Sequence, residues 1–203
     1  MRRLSSVLLT TAAVWLAALA PVALAERADR DKPTLLEGAQ CTTEELKQTS
    51  VCSGSVVLTR GTLRITGERL EVRQDPEGFR TAVVTGPSGG LARFRQRRDA
   101  TRAGVEEWVE GQAERIEYDE RTEIVRFIRR ANWKRLENEL PRDEVVGQLI
   151  TYNAQSASYS VDGAPAGGGD GRVRLILAPR DSGTAPARPP AALRPAPQIE
   201  GKK

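Results

Sequence analysis

EWVEGQAERIEYDERTEIVRFIRRANWKR, residues 107–135, contains the clearest secondary-structure pattern in this chain of 203 residues. Ile116 and Tyr118 alternate with charged residues, and Val125 and Phe127 do the same after a short polar segment. This period of two is typical of strands with one buried face, whereas a helix would place apolar residues three and four positions apart. We therefore predict a β-hairpin with one polar and one apolar face.

The same alternation recurs in residues 51–95 and 145–177, and turn signals such as Asp-Pro-Glu-Gly at residues 75–78 interrupt it. No stretch longer than one or two turns has the spacing of a helix. The capping-box spacing of Thr42 and Glu45 predicts a single helical turn at that point. About ten or more short strands separated by turns predict an all-β sandwich, roll or barrel.

Three strand starts resemble one another, and each begins at a glycine. They are GERLEV at Gly67, GQAERIEY at Gly111 and GQLITY at Gly147. The second carries two additional residues and the separations are unequal, which excludes a strict repeat. We interpret the series as a ladder of antiparallel hairpins in which each hairpin covers the edge of its neighbour.

The two ends of the chain differ in composition from the part between them. Residues 1–25 combine two arginines, an apolar run and a final Ala-Leu-Ala, a pattern that predicts a cleaved secretory signal peptide. A retained membrane anchor is the alternative, although the apolar run is short for a span of about 20 residues. Residues 178–203 are rich in Pro, Ala and Arg and predict a disordered tail. Residues 26–177 are then the one folded domain.

Charge and histidine content exclude several classes of function. The net charge of +4 arises at the two ends, because both the leader and the tail carry an excess of basic residues. A nucleic-acid-binding domain would instead concentrate positive charge on its folded surface. The chain has no histidine, which excludes histidine-based catalytic triads and removes the commonest zinc ligand. We therefore expect no nucleic acid, no metal and no cofactor.

Cys41 and Cys52 are the two cysteines, and they lie close together in the sequence. Because the chain is predicted to be exported, a disulfide between them is the expected state, with two free thiols as the alternative. Their spacing differs from the C-x-x-C spacing of redox motifs.

Several segments resemble the OstA-like proteins of lipopolysaccharide transport. They are GSVVL and TLRITGERLEV within residues 54–72, FRQRR at residues 94–98, VEGQAERIEYDERTEIV at residues 109–125 and VVGQLITY at residues 145–152. The order and spacing of these segments carry the resemblance, which extends over most of residues 35–177. It implies a twisted, open β-jellyroll of antiparallel hairpins whose two sheets enclose an apolar groove.

The resemblance also implies a periplasmic carrier that holds the acyl chains of lipopolysaccharide in the groove and leaves the sugars and phosphates in solvent. Such carriers stack head to tail as a homo-oligomer, and the stack bridges an inner-membrane LptC-like protein and an outer-membrane LptD-like protein. The groove-lining candidates are apolar residues at strand spacing: Ile65, Leu70, Val72, Phe94, Ile116, Tyr118, Val125, Phe127, Ile150 and Tyr152. The same residues could instead form the packed core of a closed sandwich.

Arginines at the end of a predicted strand offer a second candidate site. Arg95 and Arg97 could contact phosphate groups, which match the geometry of the guanidinium fork. The alternative is a solvated face that discourages edge-to-edge association of strands, and the acidic residues nearby in the sequence favour this alternative.

Two other function classes compete with the carrier. A secreted glycosidase would use two carboxylates, but the acidic residues here lie on predicted polar faces and turns. The sequence contains neither a nucleophile elbow nor a phosphate-binding loop, so we expect no enzyme activity. A purely structural envelope filament, built by strand addition, would share the fold and carry no lipid.

Overall fold

The computed structural model of this chain describes residues 29–99, 102, 104–163 and 172–178. The regular elements of this part are antiparallel strands, together with short 3-10 turns at Asp29–Asp31 and Glu45–Lys47. The strands are β1 (Thr34–Glu37), β2 (Gln40–Glu44), β3 (Thr49–Arg60), β4 (Leu63–Gln74), β5 (Arg80–Thr85), β6 (Ala92–Arg98), β7 (Glu107–Ala113), β8 (Arg115–Asp119), β9 (Ile124–Glu137), β10 (Leu140–Asn153), β11 (Ser158–Asp162) and β12 (Arg174–Leu177). The predicted leader, and the predicted tail beyond Ala178, lie outside the described residues.

One continuous hydrogen-bonded sheet folds over into two layers because four long strands, β3, β4, β9 and β10, belong to both. In β4, for example, residues 64–66 pair with β6, while residues 69–74 pair with β5. Layer A has the order β1-β3-β4-β6-β7-β9-β10-β12. Layer B has the order β2-β3-β4-β5-β8-β9-β10-β11. This arrangement confirms the predicted all-β jellyroll.

The long strands bend where they leave one layer and enter the other, and these bends form the closed side of the jellyroll. The register shifts between Ser53 and Val56 in β3 and between Gly147 and Leu149 in β10. The junction between β7 and β8 lies on the same line of bends. There, Gly86 N donates a backbone hydrogen bond to Glu114 O at 2.9 Å. Hairpin turns from both layers meet on the opposite, open side.

At two of the bends, a neighbouring strand packs so closely against the chain that only a glycine fits. A Cβ on Gly67 would lie 2.5 Å from Cγ1 of Val84, and a Cβ on Gly147 would lie 2.5 Å from Cγ2 of Val161. These separations are shorter than any real van der Waals contact, so a larger residue would push the end of β5 or β11 away. The third glycine of the predicted series, Gly111, lies inside β7 rather than at a bend.

The hairpin that the sequence predicts most clearly is present as β8 and β9, with Ile116 opposite Phe127 and Tyr118 opposite Val125. The stretch that contains it holds a third strand, however. The preceding strand β7 lies in layer A and β8 lies in layer B, and each pairs with a different half of β9. The chain changes layer at Glu114, the residue between the two strands.

The predicted helical turn between the cysteines lies two residues later than expected. Thr42 and Thr43 pair with Val51 and Ser50, so the strand continues to Glu44, which takes the N-cap position in place of Thr42. The 3-10 turn is Glu45–Lys47, and Gln48 ends it in the left-handed conformation with φ of 50°. Within the described residues, no helix is long and apolar enough to cross a membrane.

Candidate functional site

The interior between the two layers is the candidate lipid site. All ten predicted groove-lining side chains point into it, and their exposed fractions range from 0% to 9%. In β8 and β9 this follows from alternation, because Ile116 and Phe127 face inward while Glu117 and Arg126 form the adjacent pair on the outer face. Acyl chains could reach these side chains only if the layers move apart or the chains enter from an end.

Aromatic rings from both layers meet in this interior. Phe94 of layer A meets Phe127 of layer B edge to face, with ring centroids 5.6 Å apart. A Cβ on Gly111 would lie 2.2 Å from Cε1 of Phe127, so the glycine makes room for this ring. Trp133 packs between Tyr152 and Tyr159 at centroid distances of 5.6 and 4.7 Å.

Several fully buried residues were missing from the predicted set although they carry the same signal. They lie at inward-facing alternate positions of their strands, some beside a second apolar residue that faces outward, and they are Val56, Leu58, Leu63, Val84, Val109, Trp133 and Val145. The interior is therefore lined along the length of the sheet, and the ten candidates are a sample of that lining.

Five charged residues and one tyrosine close the open side of the jellyroll, and we call Asp29, Arg30, Arg60, Tyr118, Glu120 and Glu123 the mouth cluster. Asp29 is 5% exposed and binds layer A. Its Oδ1 accepts a hydrogen bond from Thr62 N at 2.7 Å, and its Oδ2 accepts others from Thr62 Oγ1 at 2.6 Å and from Gln96 Nε2 at 3.3 Å. Asp29 therefore makes a buried contact although it belongs to a polar segment of the sequence.

The rest of the mouth cluster connects the two layers. Arg60, at the end of β3, lies 2.9 Å from a carboxylate oxygen of Glu120 in the β8–β9 turn. Its guanidinium also donates to the Tyr118 hydroxyl at 3.4 Å and to the Arg30 carbonyl oxygen. Arg30 in turn donates to Glu123 at 2.9 Å. Burial raises the pKa of Tyr118 to about 12, with Arg60 acting in the opposite direction, so this hydroxyl stays neutral at ordinary pH.

An end of the interior opens beside the first strands. A pocket of about 160 Å³ is lined by Leu36 of β1 and Val72 of β4, and polar side chains that include Thr34, Ser50 and Arg80 surround them. Val72 is one of the predicted groove-lining residues. Val72 therefore borders a pocket that opens to the solution beside β1 and β2.

The two predicted phosphate contacts, Arg95 and Arg97, are already paired with carboxylates. Arg95 forms ion pairs with Glu110 and, at 2.6 Å, with Glu139. Its guanidinium also lies over the Trp108 ring, 4.3 Å from the centroid. Arg97 lies 3.6 Å from Glu106. These pairings favour the solvated-face interpretation of the two residues over a phosphate site.

Cys41 and Cys52 form a disulfide that fastens an edge strand. They lie directly opposite each other in β2 and β3, with Cα atoms 4.1 Å apart. Cys52 is 1% exposed and belongs to the core, whereas Cys41 is exposed. In the part of the chain that the structure describes, no group of three or more His, Cys, Asp or Glu side chains could hold a metal ion.

Comparison with known proteins agrees with this architecture. Residues 36–158 match the family described as LptA/(LptD N-terminal domain) LPS transport protein, which confirms the family expected from the sequence. Among solved structures, the chain is similar to LptH, the LptA-homologous periplasmic component of the lipopolysaccharide transport device of Pseudomonas aeruginosa. The TM-score is 0.61 at 20% sequence identity, and the match covers 74% of this chain and 99% of LptH. No curated protein sequence matches the chain.

Proposed function

Because the chain belongs to the LptA and LptD N-terminal domain family, and so takes part in lipopolysaccharide transport, we propose that it is a periplasmic carrier of the LptA type that holds acyl chains between its two layers. The observation that carries this proposal is the continuous apolar lining contributed by both layers, including Ile65, Ile116 and Ile150. Burying an acyl chain against such a surface is worth about 25 cal/mol per Å² without requiring a single bound pose. Carriage of this kind needs no catalytic group.

In this proposal the carrier stacks head to tail between LptC-like and LptD-like proteins, with edge strands as the contacts. β1 and β2 lie at one end of the two layers, and β11 and β12 lie at the other. Large apolar side chains are exposed at both ends, since Leu35 is 55% exposed and Leu177 is 63% exposed. Exposed strand edges with apolar side chains favour pairing with a strand of another molecule.

A structural filament without cargo is the second candidate, and the tight packing of the interior favours it. The two functions share the fold and the edge strands but differ in what the interior does. A carrier must let acyl chains displace contacts such as that between Phe94 and Phe127, whereas a filament keeps these contacts permanently.

Photo-crosslinking in cells distinguishes the two candidates. A photoreactive amino acid in place of Ile116 or Phe127 faces the interior, and one in place of Glu117 or Arg126 on the same two strands faces the solvent. The carrier predicts lipopolysaccharide adducts at the inward pair and few at the outward pair. Equal labelling of both pairs, or none at the inward pair, would contradict acyl-chain binding and favour the filament.

A further inference from the structure

A basic depression occupies the outer face of layer A, away from the apolar interior. It has a volume of about 270 Å³, and its lining includes Arg64, Arg93, Arg95, Gln112 and Lys134. Four of these five side chains are cationic at neutral pH. The one acidic side chain that lines the depression is Glu110, so positive charge exceeds negative charge there.

Strand register places the cationic side chains next to one another. Arg64 of β4 lies directly opposite Arg95 of β6, and Arg93, two residues earlier in β6, lies opposite Gln112 of β7. Like charges directly opposite each other on neighbouring strands are destabilising unless something neutralises them. Glu110 and Glu139 neutralise Arg95, whereas Arg64 and Arg93 leave positive charge that a bound anion would offset.

Carboxylates neutralise only part of this charge. Arg95 pairs with Glu110 and Glu139, and Lys134 lies 3.5 Å from Glu144. Arg64 and Arg93 are exposed, and neither forms an ion pair or a side-chain hydrogen bond within the described part of the chain. Two guanidinium forks are thus available on the wall of a concave surface.

We propose that this depression binds phosphate groups on a saccharide, with Arg64 and Arg93 as the phosphate ligands. Guanidinium forks bind phosphate oxygens in pairs, with charge-assisted hydrogen bonds. The Gln112 amide, beside Arg93, provides both a donor and an acceptor for sugar hydroxyls. The ligand class follows from this combination of two free guanidinium groups with a neighbouring amide.

The position of the depression relates it to the proposed cargo, and in this respect the inference rests on the proposed function. Phe94 lies between Arg93 and Arg95 in β6, and because side chains alternate across a strand it points into the interior. One strand thus carries an apolar side chain for acyl chains on one face and cationic side chains on the other. Because layer A separates the two faces, the saccharide of a lipopolysaccharide molecule whose acyl chains lie inside would reach the depression around the β3–β4 turn, beside Arg64.

The test uses the complete mature protein and deacylated, phosphorylated lipopolysaccharide saccharide as the probe, with binding measured by calorimetry. We expect the double variant Arg64→Gln/Arg93→Gln to bind this saccharide about tenfold or more weakly than the wild type. The matched control is Arg69→Gln/Arg126→Gln, which removes two exposed arginines of layer B that also lack described ion-pair partners. We expect the control to change the affinity by less than about twofold.

Each other outcome contradicts a defined part of the proposal. Equal weakening by both double variants would mean general electrostatic attraction, and no weakening would remove Arg64 and Arg93 from the site. Undiminished binding of the enzymatically dephosphorylated saccharide would contradict phosphate recognition. Equal affinity for inorganic phosphate would contradict recognition of the sugar. Because the probe lacks acyl chains, these outcomes are independent of crosslinking in the interior, which tests the carrier function by itself.

Discussion

Arg60 Nη1 lies 2.9 Å from Oε1 of Glu120, and this contact joins layer A to layer B across the open side of the jellyroll. Both side chains are about a tenth exposed, at 9% and 10%. Removing one partner of such a buried pair is costly because the other charge stays buried without compensation. The open side is therefore held shut by specific polar contacts in addition to apolar packing.

Asp29→Ala should lower the free energy of unfolding by about 2 kcal/mol, because it removes three hydrogen bonds to a buried carboxylate. Urea denaturation at neutral pH measures this loss. The control is Asp31→Ala, two residues later in the same 3-10 turn, where the side chain is exposed. The control should lie within about 0.5 kcal/mol of the wild type. Equal losses in both variants would show that Asp29 contributes only its charge.

Reducing the disulfide between Cys41 and Cys52 should destabilise the fold by about 2–3 kcal/mol, since a short loop of chain gains freedom in the unfolded state. The loss should concentrate in β2, whose residues are all exposed and whose described strand partner is β3. Hydrogen exchange with and without dithiothreitol measures both effects. Cys41→Ser should be insensitive to the reagent, and faster exchange throughout the sheet would contradict a local role.

Acidification should destabilise the protein through Glu137. Burial tends to raise the pKa of this carboxyl, but Arg135, Arg102 and Arg142 outweigh burial and hold the pKa below its usual value. Arg135 and Arg102 each donate to it at 2.8 Å. A lowered pKa in the folded state means that the stabilisation is complete above the unfolded pKa, near 4.3, and is lost as the pH falls through the folded pKa.

Urea denaturation between about pH 6 and pH 3 tests this dependence. Glu137→Gln should be less stable at the upper end of the range, and its stability should fall less steeply than that of the wild type as the pH decreases. Parallel curves for the two proteins would show that other carboxyl groups account for the acid sensitivity.

Ile176→Pro should reduce self-association if β12 is a contact edge. Ala178 N donates to Arg142 O, so by the alternation of the ladder the N–H of Ile176 also faces β10. Proline there removes this bond and detaches the four-residue strand that would offer the contact edge, in which Ile176 is 44% exposed. Sedimentation velocity at high protein concentration measures the loss, while the melting temperature should change little. Ile176→Thr keeps both the N–H and the β-branch, so it should assemble normally. An unchanged size distribution in the proline variant would exclude β12 as the contact.

Strand pattern predicted the interior well because alternation is a local property. Ile116, Tyr118, Val125 and Phe127 face inward as the period of two requires. The change of layer was less visible in the sequence. β9 bends at Arg129 and Arg130, which adopt positive φ of 62° and 51°, and two charged residues give no turn signal of the kind that glycine gives.

The mouth cluster could not be predicted because tertiary contacts alone bury it. Asp29 belongs to a short polar segment without periodicity, and Arg60 resembles an ordinary residue of a hairpin turn. Their burial depends on Gln96 and Glu120, which are distant in the sequence and come close only when both layers form. Charge complementarity across the open side is therefore a property of the folded chain.

The shared strands restrict how the interior can change its volume. Because β3, β4, β9 and β10 run through both layers, the layers cannot slide apart as independent sheets. The permitted motion is a rotation about the line of bends, which leaves the separation near Gly67 and Gly147 almost constant and widens the opposite side most. Room for a bulky guest would thus arise beside Tyr118 and Leu63, and the contacts of Asp29 and Arg60 would set the work needed to create it.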